Sequence, residues 1–189
     1  NGWLYLGESG DGIHALSATD GADLWTFKIG GGVLSAPALV DGVLYSVSTD
    51  HTVVALDADT GAELWRFAVD GAVDYGPSVA NGVLYVSTDA GTLYALEADS
   101  GNQLWQVKIG GSVAIGPSVS DGVIYLSSTD GNVVVLGEAG HRPVIGTVTS
   151  ASPVANPASS GFDQSSVQIA WQTVIDSVMG LGPLAVAPD

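Results

Sequence analysis

The chain has 189 residues, an apolar fraction of 46% with positive mean hydropathy, and a formal charge of −16 from 20 carboxylates against 4 lysines and arginines. Such a composition supplies a sizeable core and excludes a disordered chain, while the charge repels nucleic-acid phosphates and anionic lipid heads, so neither is an expected partner. Without a cysteine there is no disulfide, thiol catalysis or cysteine-ligated zinc, and no apolar run approaches the roughly 20 residues of a membrane span.

The first residues, NGWLYLGES, read at once as a strand. They carry no basic start or apolar signal core, so an export signal is expected to have been removed or to lie upstream. The opening motif then returns at a fixed interval: N-G-W-L-Y at residue 1, D-G-V-L-Y at 41, N-G-V-L-Y at 81 and D-G-V-I-Y at 121. Trp25, Trp65 and Trp105 keep the same 40-residue spacing, as do Gly21, Gly61 and Gly101, and Pro37, Pro77 and Pro117. Recurrence at one period across whole units marks a repeat architecture.

Each unit resolves into four short strands between turn signals, the strand count of a propeller blade. In the second unit, residues 33–40 form a first strand, Asp41-Gly42 a tight hairpin suited to positive φ, and residues 43–48 the returning strand. After a turn at Asp50-His51, VVALDA forms the third strand, and the Asp59-Thr60-Gly61 corner leads into ELWRFAV as the fourth. The two middle strands are nearly continuously apolar, as expected of strands covered on both faces. In the fourth, Trp65 and Phe67 share one face while Arg66, like Thr26 and Gln106, faces solvent. That strand is the outer edge, and the proline-bearing strand is the innermost, where a ladder donor can be spared.

The segments A-L-S-A-T-D-G-A-D-L-W at 15–25, A-L-D-A-D-T-G-A-E-L-W at 55–65 and A-L-E-A-D-S-G-N-Q-L-W at 95–105 resemble the tryptophan-docking repeat of the pyrroloquinoline-quinone-type propellers. The resemblance covers residues 1 to about 140. It implies an all-β propeller of four-stranded antiparallel blades, about four in number, forming a partial ring or half of an eight-bladed one. The family it points to holds calcium- and quinone-dependent dehydrogenases beside structural members such as outer-membrane assembly lipoproteins. In the dehydrogenases the resemblance would imply a calcium-held quinone over the axis, a catalytic aspartate and adjacent cysteines. The cysteines are absent here and none of the other residues finds a counterpart.

After residue 140 the pattern breaks. Gly137-Glu138-Ala139-Gly140 replaces the corner, Ile145 stands where the next tryptophan is due, and residues 141–166 are rich in Pro, Ala and Ser, reading as a linker or a degenerate repeat. Pro157 keeps the repeat spacing after Pro117, so Val144-Ile145 could replace Leu104-Trp105 in an eroded outer strand. Residues 167–189 form a C-terminal segment. The spacing of Val167, Trp171, Val174, Ile175 and Val178 favours a short helix, with a strand as the alternative that its β-branched content supports. The closing LGPLAVAPD resembles the start of another propeller repeat.

Candidate chemistry is sparse. The acidic corner from Asp57 to Glu63 has alternating oxygen ligands before a glycine but is far shorter than an EF-hand loop, and it reads as a turn. His14, His51 and His141 share neither sequence neighbourhood nor repeat register, and Ser35, Ser78 and Ser118 recur without a G-x-S-x-G elbow. No catalytic, cofactor-binding or metal-ligating residue is therefore assigned; Trp25, Trp65 and Trp105 fill gaps between blades. The expected role is a non-enzymatic scaffold or binding module of an extracellular, cell-surface or periplasmic protein, partnered by an unidentified protein or glycan; the open arc is expected to close either through residues 141–160, which would complete a four-bladed ring, or, as the favoured alternative, through a second copy completing an eight-bladed ring. The alternatives are a fragment of a quinone-dependent dehydrogenase and a structural spacer in a repetitive surface protein.

Overall fold

The computed structural model describes residues 2–138, apart from Asp11, Ala114, Asp121, Asp130 and Gly131, together with residues 167–174. It contains four antiparallel meanders. The first sheet has three strands, β1 (Trp3–Glu8), β2 (Gly12–Ser17) and β3 (Asp23–Phe27). The second and third have four each: β4 (Ala38–Val40), β5 (Val43–Val47), β6 (Thr52–Asp57) and β7 (Glu63–Ala68), then β8 (Ser78–Ala80), β9 (Val83–Ser87), β10 (Thr92–Glu97) and β11 (Gln103–Lys108). The fourth consists of β12 (Ser118–Ser120), β13 (Val123–Ser127), β14 (Asn132–Glu138) and β15 (Val167–Val174). Each sheet is one blade, and the all-β propeller architecture read from the repeat is what the chain adopts.

The hairpins follow from local chemistry. Asp41 and Gly42 have φ of 49° and 81°, and Asn81 and Gly82 have 51° and 75°; two successive positive φ values are the type I′ requirement that Asp-Gly and Asn-Gly meet at little cost. The innermost strand is shorter than the sequence suggests, Ala38–Val40 rather than 33–40. Pro37 stands immediately before it, as Pro77 and Pro117 stand before β8 and β12, because a residue without an N–H cannot extend the ladder. Residues 33–37 instead carry the chain across from the previous blade, tied by Val33 N–H to the Glu8 carbonyl at 2.9 Å.

The cores lie between blades. Leu44, Val54, Leu56 and Ala58 of blade two pack on Ile13, Tyr5, Trp25 and Phe27 of blade one. Tyr45, Val47 and Val53 meet Leu84, Val86 and Tyr94 at the next junction, and Leu93, Ala95 and Trp105 meet Ile124, Leu126 and Val134 at the third. Full burial of an aliphatic side chain of this size contributes about 1.5–3 kcal/mol, so each blade is stabilised mainly by its neighbours. Blade one shows the converse. Leu4 and Leu6 of β1 are 53% and 40% exposed, whereas Leu44, Leu84 and Ile124, which occupy the repeat position of Leu4, are fully buried.

One expectation for the end of the chain is corrected. Residues 167–174 are a strand, not the start of a helix, and pair with β14 as the outer strand of blade four; Val144-Ile145 lie outside the described residues. β-Branched Val167, Ile169, Thr173 and Val174 suit a ladder, and β14 offers an edge for them. Residues 141–166 lie outside the described residues.

Candidate functional site

The recurrent residues build the joints between blades. On every outer strand the pairing register shifts by one residue, between Ala15 and Leu16, Ala55 and Leu56, Ala95 and Leu96, and Val135 and Leu136. Such a bulge bends the strand and re-aims its side chains. Opposite the residue before the shift stands Trp25, Trp65 or Trp105. The indole of Trp25 donates to the Ala58 carbonyl of the next blade at 3.0 Å, and that of Trp65 to the Ala98 carbonyl at 2.8 Å. Each ring covers a glycine. A Cβ on Gly61 would come within 2.7 Å of Trp25, and one on Gly101 within 2.6 Å of Trp65. Both glycines also have positive φ, 71° and 72°.

Tyrosines complete the joints. Tyr5, Tyr45 and Tyr85 lie 5.9, 6.0 and 6.0 Å from Trp25, Trp65 and Trp105, centroid to centroid, and Tyr5 also donates to the Ala58 carbonyl at 3.1 Å. Burial raises the Tyr85 phenol to about 12. The sequence carried a signal for these rings, since each is the last residue of the recurring hairpin motif, G-W-L-Y at 2–5 and G-V-L-Y at 42–45 and 82–85.

Two further positions belong to this series. Trp171 pairs with Val135, as Trp105 pairs with Ala95, so it holds the register of the docked tryptophans. Gly21, at φ of 73°, has no atom within 4 Å of its Cβ position, and Ala18 is exposed where Ala58 and Ala98 are buried. Blade one thus presents the same seat without an occupant among the described residues.

The acidic corners are turns that grip themselves. Asp57 accepts from the Thr60 hydroxyl at 2.7 Å and the Thr60 amide at 2.8 Å, and these bonds hold its carboxyl below the ordinary range. Glu97 accepts from the Ser100 hydroxyl and from Asn102 Nδ2, and is lowered in the same way. Carboxylates engaged by donors of their own turn do not converge on a cation. Among the described residues no group of three or more His, Asp or Glu could hold a metal ion.

Histidines and serines are not brought together. His14 Nδ1 lies 3.2 Å from the Thr26 hydroxyl and its Nε2 is 3.7 Å from Glu8; His51 sits in a turn at φ of 70°, and His141 lies outside the described residues. The Ser78 hydroxyl donates to the Pro117 carbonyl of the next inner segment, and Ser35 is a buried hydroxyl without a partner. Near the axis the backbones crowd instead: a Cβ on Gly76 would meet the Ala36 carbonyl at 2.9 Å, and one on Gly116 the Gly76 carbonyl at 2.8 Å. The inner strands read Ala-Leu-Val, Ser-Val-Ala and Ser-Val-Ser. Without a carboxylate or amide on them, these strands do not fit a calcium-held quinone.

One polar cluster was not legible in the repeat. Asp70, on the crossing from blade two to blade three, accepts from Lys108 Nζ at 2.7 Å and from the Thr92 and Thr88 hydroxyls at 2.6 and 2.9 Å. Burial pushes its carboxyl upward, but these bonds and the Lys108 charge outweigh it and hold the pKa at about 2. The equivalent positions are Gly30 and Gly110, which have no side-chain carboxylate to make such a clamp. A cleft of about 270 Å³ opens between blades one and two, with Trp3, Tyr5, Leu39 and Asp59 on its walls.

The fold recurs among solved structures. BamB from Moraxella catarrhalis superposes with a TM-score of 0.64 at 20% identity, over 71% of this chain and 42% of that one. The computationally designed Ika4 protein gives 0.66 at 19%, over 71% and 84%, and the quinohemoprotein alcohol dehydrogenase of Comamonas testosteroni 0.62 at 16%, over 71% and 31%. This chain therefore spans less than half the length of that BamB and of the dehydrogenase. No curated protein matches the sequence. The family model described as outer membrane protein assembly factor BamB matches residues 1–72 and 49–172, and the chain belongs to that family.

Proposed function

We propose that the chain is a non-enzymatic propeller scaffold of an extracellular, cell-surface or periplasmic protein, offering its loops and acidic surface to another protein. The observation that carries this reading is the use of the recurrent residues: Trp, Tyr and Gly are consumed in blade-to-blade joints, and the corner carboxylates in their own turns. What remains for recognition is the exposed, strongly negative surface, which favours a basic protein face. Membership of the BamB family supports an assembly role, and function in such a fold is grafted onto a common frame. A second copy, completing an eight-bladed ring, is the other partner in this reading.

A glycan is the second ligand class. Trp3 stands where the other blades have Val43, Val83 and Val123, and with Tyr5 it places two rings beside Asp59 in the cleft. Aromatic faces with a nearby carboxylate suit a sugar's apolar face and hydroxyls.

Titration calorimetry with pyrroloquinoline quinone, with and without calcium, tests the scaffold reading. No heat of binding is expected. Saturable binding at micromolar quinone, or dye-linked alcohol oxidation, would replace it with the dehydrogenase reading.

A further inference from the structure

What a joint needs recurs every 40 residues, so an exposed residue that departs from its repeat counterparts owes nothing to the joints. Three such departures stand together on the crossing side of blade two. Leu34 occupies the position of Asp74 and Ala114, Tyr75 that of Ser35 and Ile115, and His51 that of Gly91 and Gly131. Leu34 is 56% exposed and Tyr75 39%, and His51 is exposed as well. The position of Leu34 is a surface one within the row of blades too, since Asp74, on the crossing from blade two to blade three, is exposed.

Hydrogen bonds hold the three side by side. The turn that carries His51 lies between two crossings: Thr49 N–H donates to the Gly32 carbonyl at 3.0 Å, Gly32 N–H to the Thr49 hydroxyl at 3.1 Å, and Val73 N–H to the Ser48 carbonyl at 3.3 Å. Leu34 stands two residues beyond the first of these contacts and Tyr75 two beyond the last. A Cβ on Gly76 would come within 3.8 Å of the Ser35 side chain, so the two crossings also touch each other. His51 has a φ of 70°, close to the 72° of Gly91. A side chain there carries a strain that glycine at the same position avoids. Folding gains nothing from a strained histidine, a leucine and a tyrosine ring set out in water at adjoining sites.

We propose that this patch is a protein-docking surface and that it receives a basic segment with interspersed apolar side chains. Leu34 and Tyr75 seat the apolar groups, Asp50 and Asp74 the cationic ones, and His51 stands at the rim. Tyrosine serves as an interface anchor because it buries much area with few rotatable bonds. The local charge selects the sign of the partner. Asp50 and Asp74 are exposed, and among the described residues neither forms a salt bridge, whereas Glu63 is held by Arg66 and Asp70 by Lys108. An acidic segment would be repelled by both carboxylates. This inference rests on the reading of the chain as a scaffold that binds a protein; quinone binding would remove that reading, while failure of this patch alone would leave it standing.

The probe is a short fluorescein-labelled peptide of alternating arginine and leucine, with a glutamate and leucine peptide as its counterpart. Anisotropy is read with the full chain at physiological ionic strength, where long-range attraction between exposed charges is screened. Saturable binding of the arginine peptide alone is expected, and Leu34→Ala or Tyr75→Ala should weaken it by about tenfold or more. Asp74→Asn should weaken it too, whereas Asp59→Asn and Asp99→Asn, at exposed corners, should leave it unchanged. His51→Gly should raise the urea midpoint and still weaken binding, a pairing that a merely structural residue does not give. Equal losses from Asp59→Asn and Asp74→Asn would report diffuse charge and overturn the proposal. So would an affinity unmoved by Tyr75→Ala, Leu34→Ala or His51→Gly, binding of the glutamate peptide, or displacement of the arginine peptide by cellohexaose.

Discussion

The indole of Trp65 lies flat enough over Gly101 that a methyl group there would come within 2.6 Å of the ring. Gly82, in the same blade, has a nearly equal φ of 75° but open space around it. Gly82→Ala should therefore cost only the strain of a positive φ, about 1 kcal/mol, and Gly101→Ala that strain plus overpacking of about 1–3 kcal/mol. Urea unfolding of the two variants checks this, and equal losses would mean that the ring moves aside freely.

Trp65→Ala removes the indole bond to Ala98, the contact with Tyr45 and the cover over Gly101. The ring is only half-buried, so the loss is expected near the lower end of the usual range for a large aromatic, about 3 kcal/mol. Trp65→Phe keeps most of the area and loses the hydrogen bond, for about 1 kcal/mol. Chemical denaturation separates the two; a Phe variant as damaged as Ala would place the energy in the N–H.

Arg66 faces solvent but is not idle. Its Nη1 donates to the Ile29 carbonyl of the crossing from blade one at 3.0 Å, and Glu63 holds the guanidinium from the same strand at 2.8 Å. Arg66→Ala should cost about 1 kcal/mol, less than Trp65→Ala. Amide hydrogen exchange should locate the loss at the crossing between blades one and two. A uniform loss of protection would contradict that placement.

Asp70 sets a pH dependence. Its pKa is lowered from 3.8 to about 2, so its contribution is fully present above the unfolded value and is lost as pH falls from about 4 through about 2. Because the side chain is a third exposed, solvent screening reduces the contribution to about 1 kcal/mol. Asp70→Asn should lower stability at pH 7 and flatten the stability curve between pH 4 and 2. Urea midpoints at several pH values give the answer, and parallel curves would show that the Lys108 pair is inert.

The blades were legible because a joint needs the same residues at the same interval: Trp, Gly and the Tyr that ends each hairpin motif recur at the 40-residue spacing as a geometric necessity. What the period could not carry was whatever breaks it. Trp171 is a repeat residue displaced by the segment 141–166, and its helical-looking neighbourhood hid a strand that only pairing with β14 identifies. Asp70 has glycine at both equivalent positions, so no pattern pointed to its clamp on Lys108. The inner strands were read as too long because Pro37 was counted inside a ladder that it can only precede.

The joints run in one direction along the chain, and this orders events in time. Trp25 reaches the carbonyl 33 residues ahead of it, and Trp65 does the same, so a tryptophan finds its place as soon as the next corner has emerged. Contacts of such short sequence separation keep the loop-closure entropy of each step small. During synthesis each blade can be sealed by the corner of its successor without waiting for the rest of the chain.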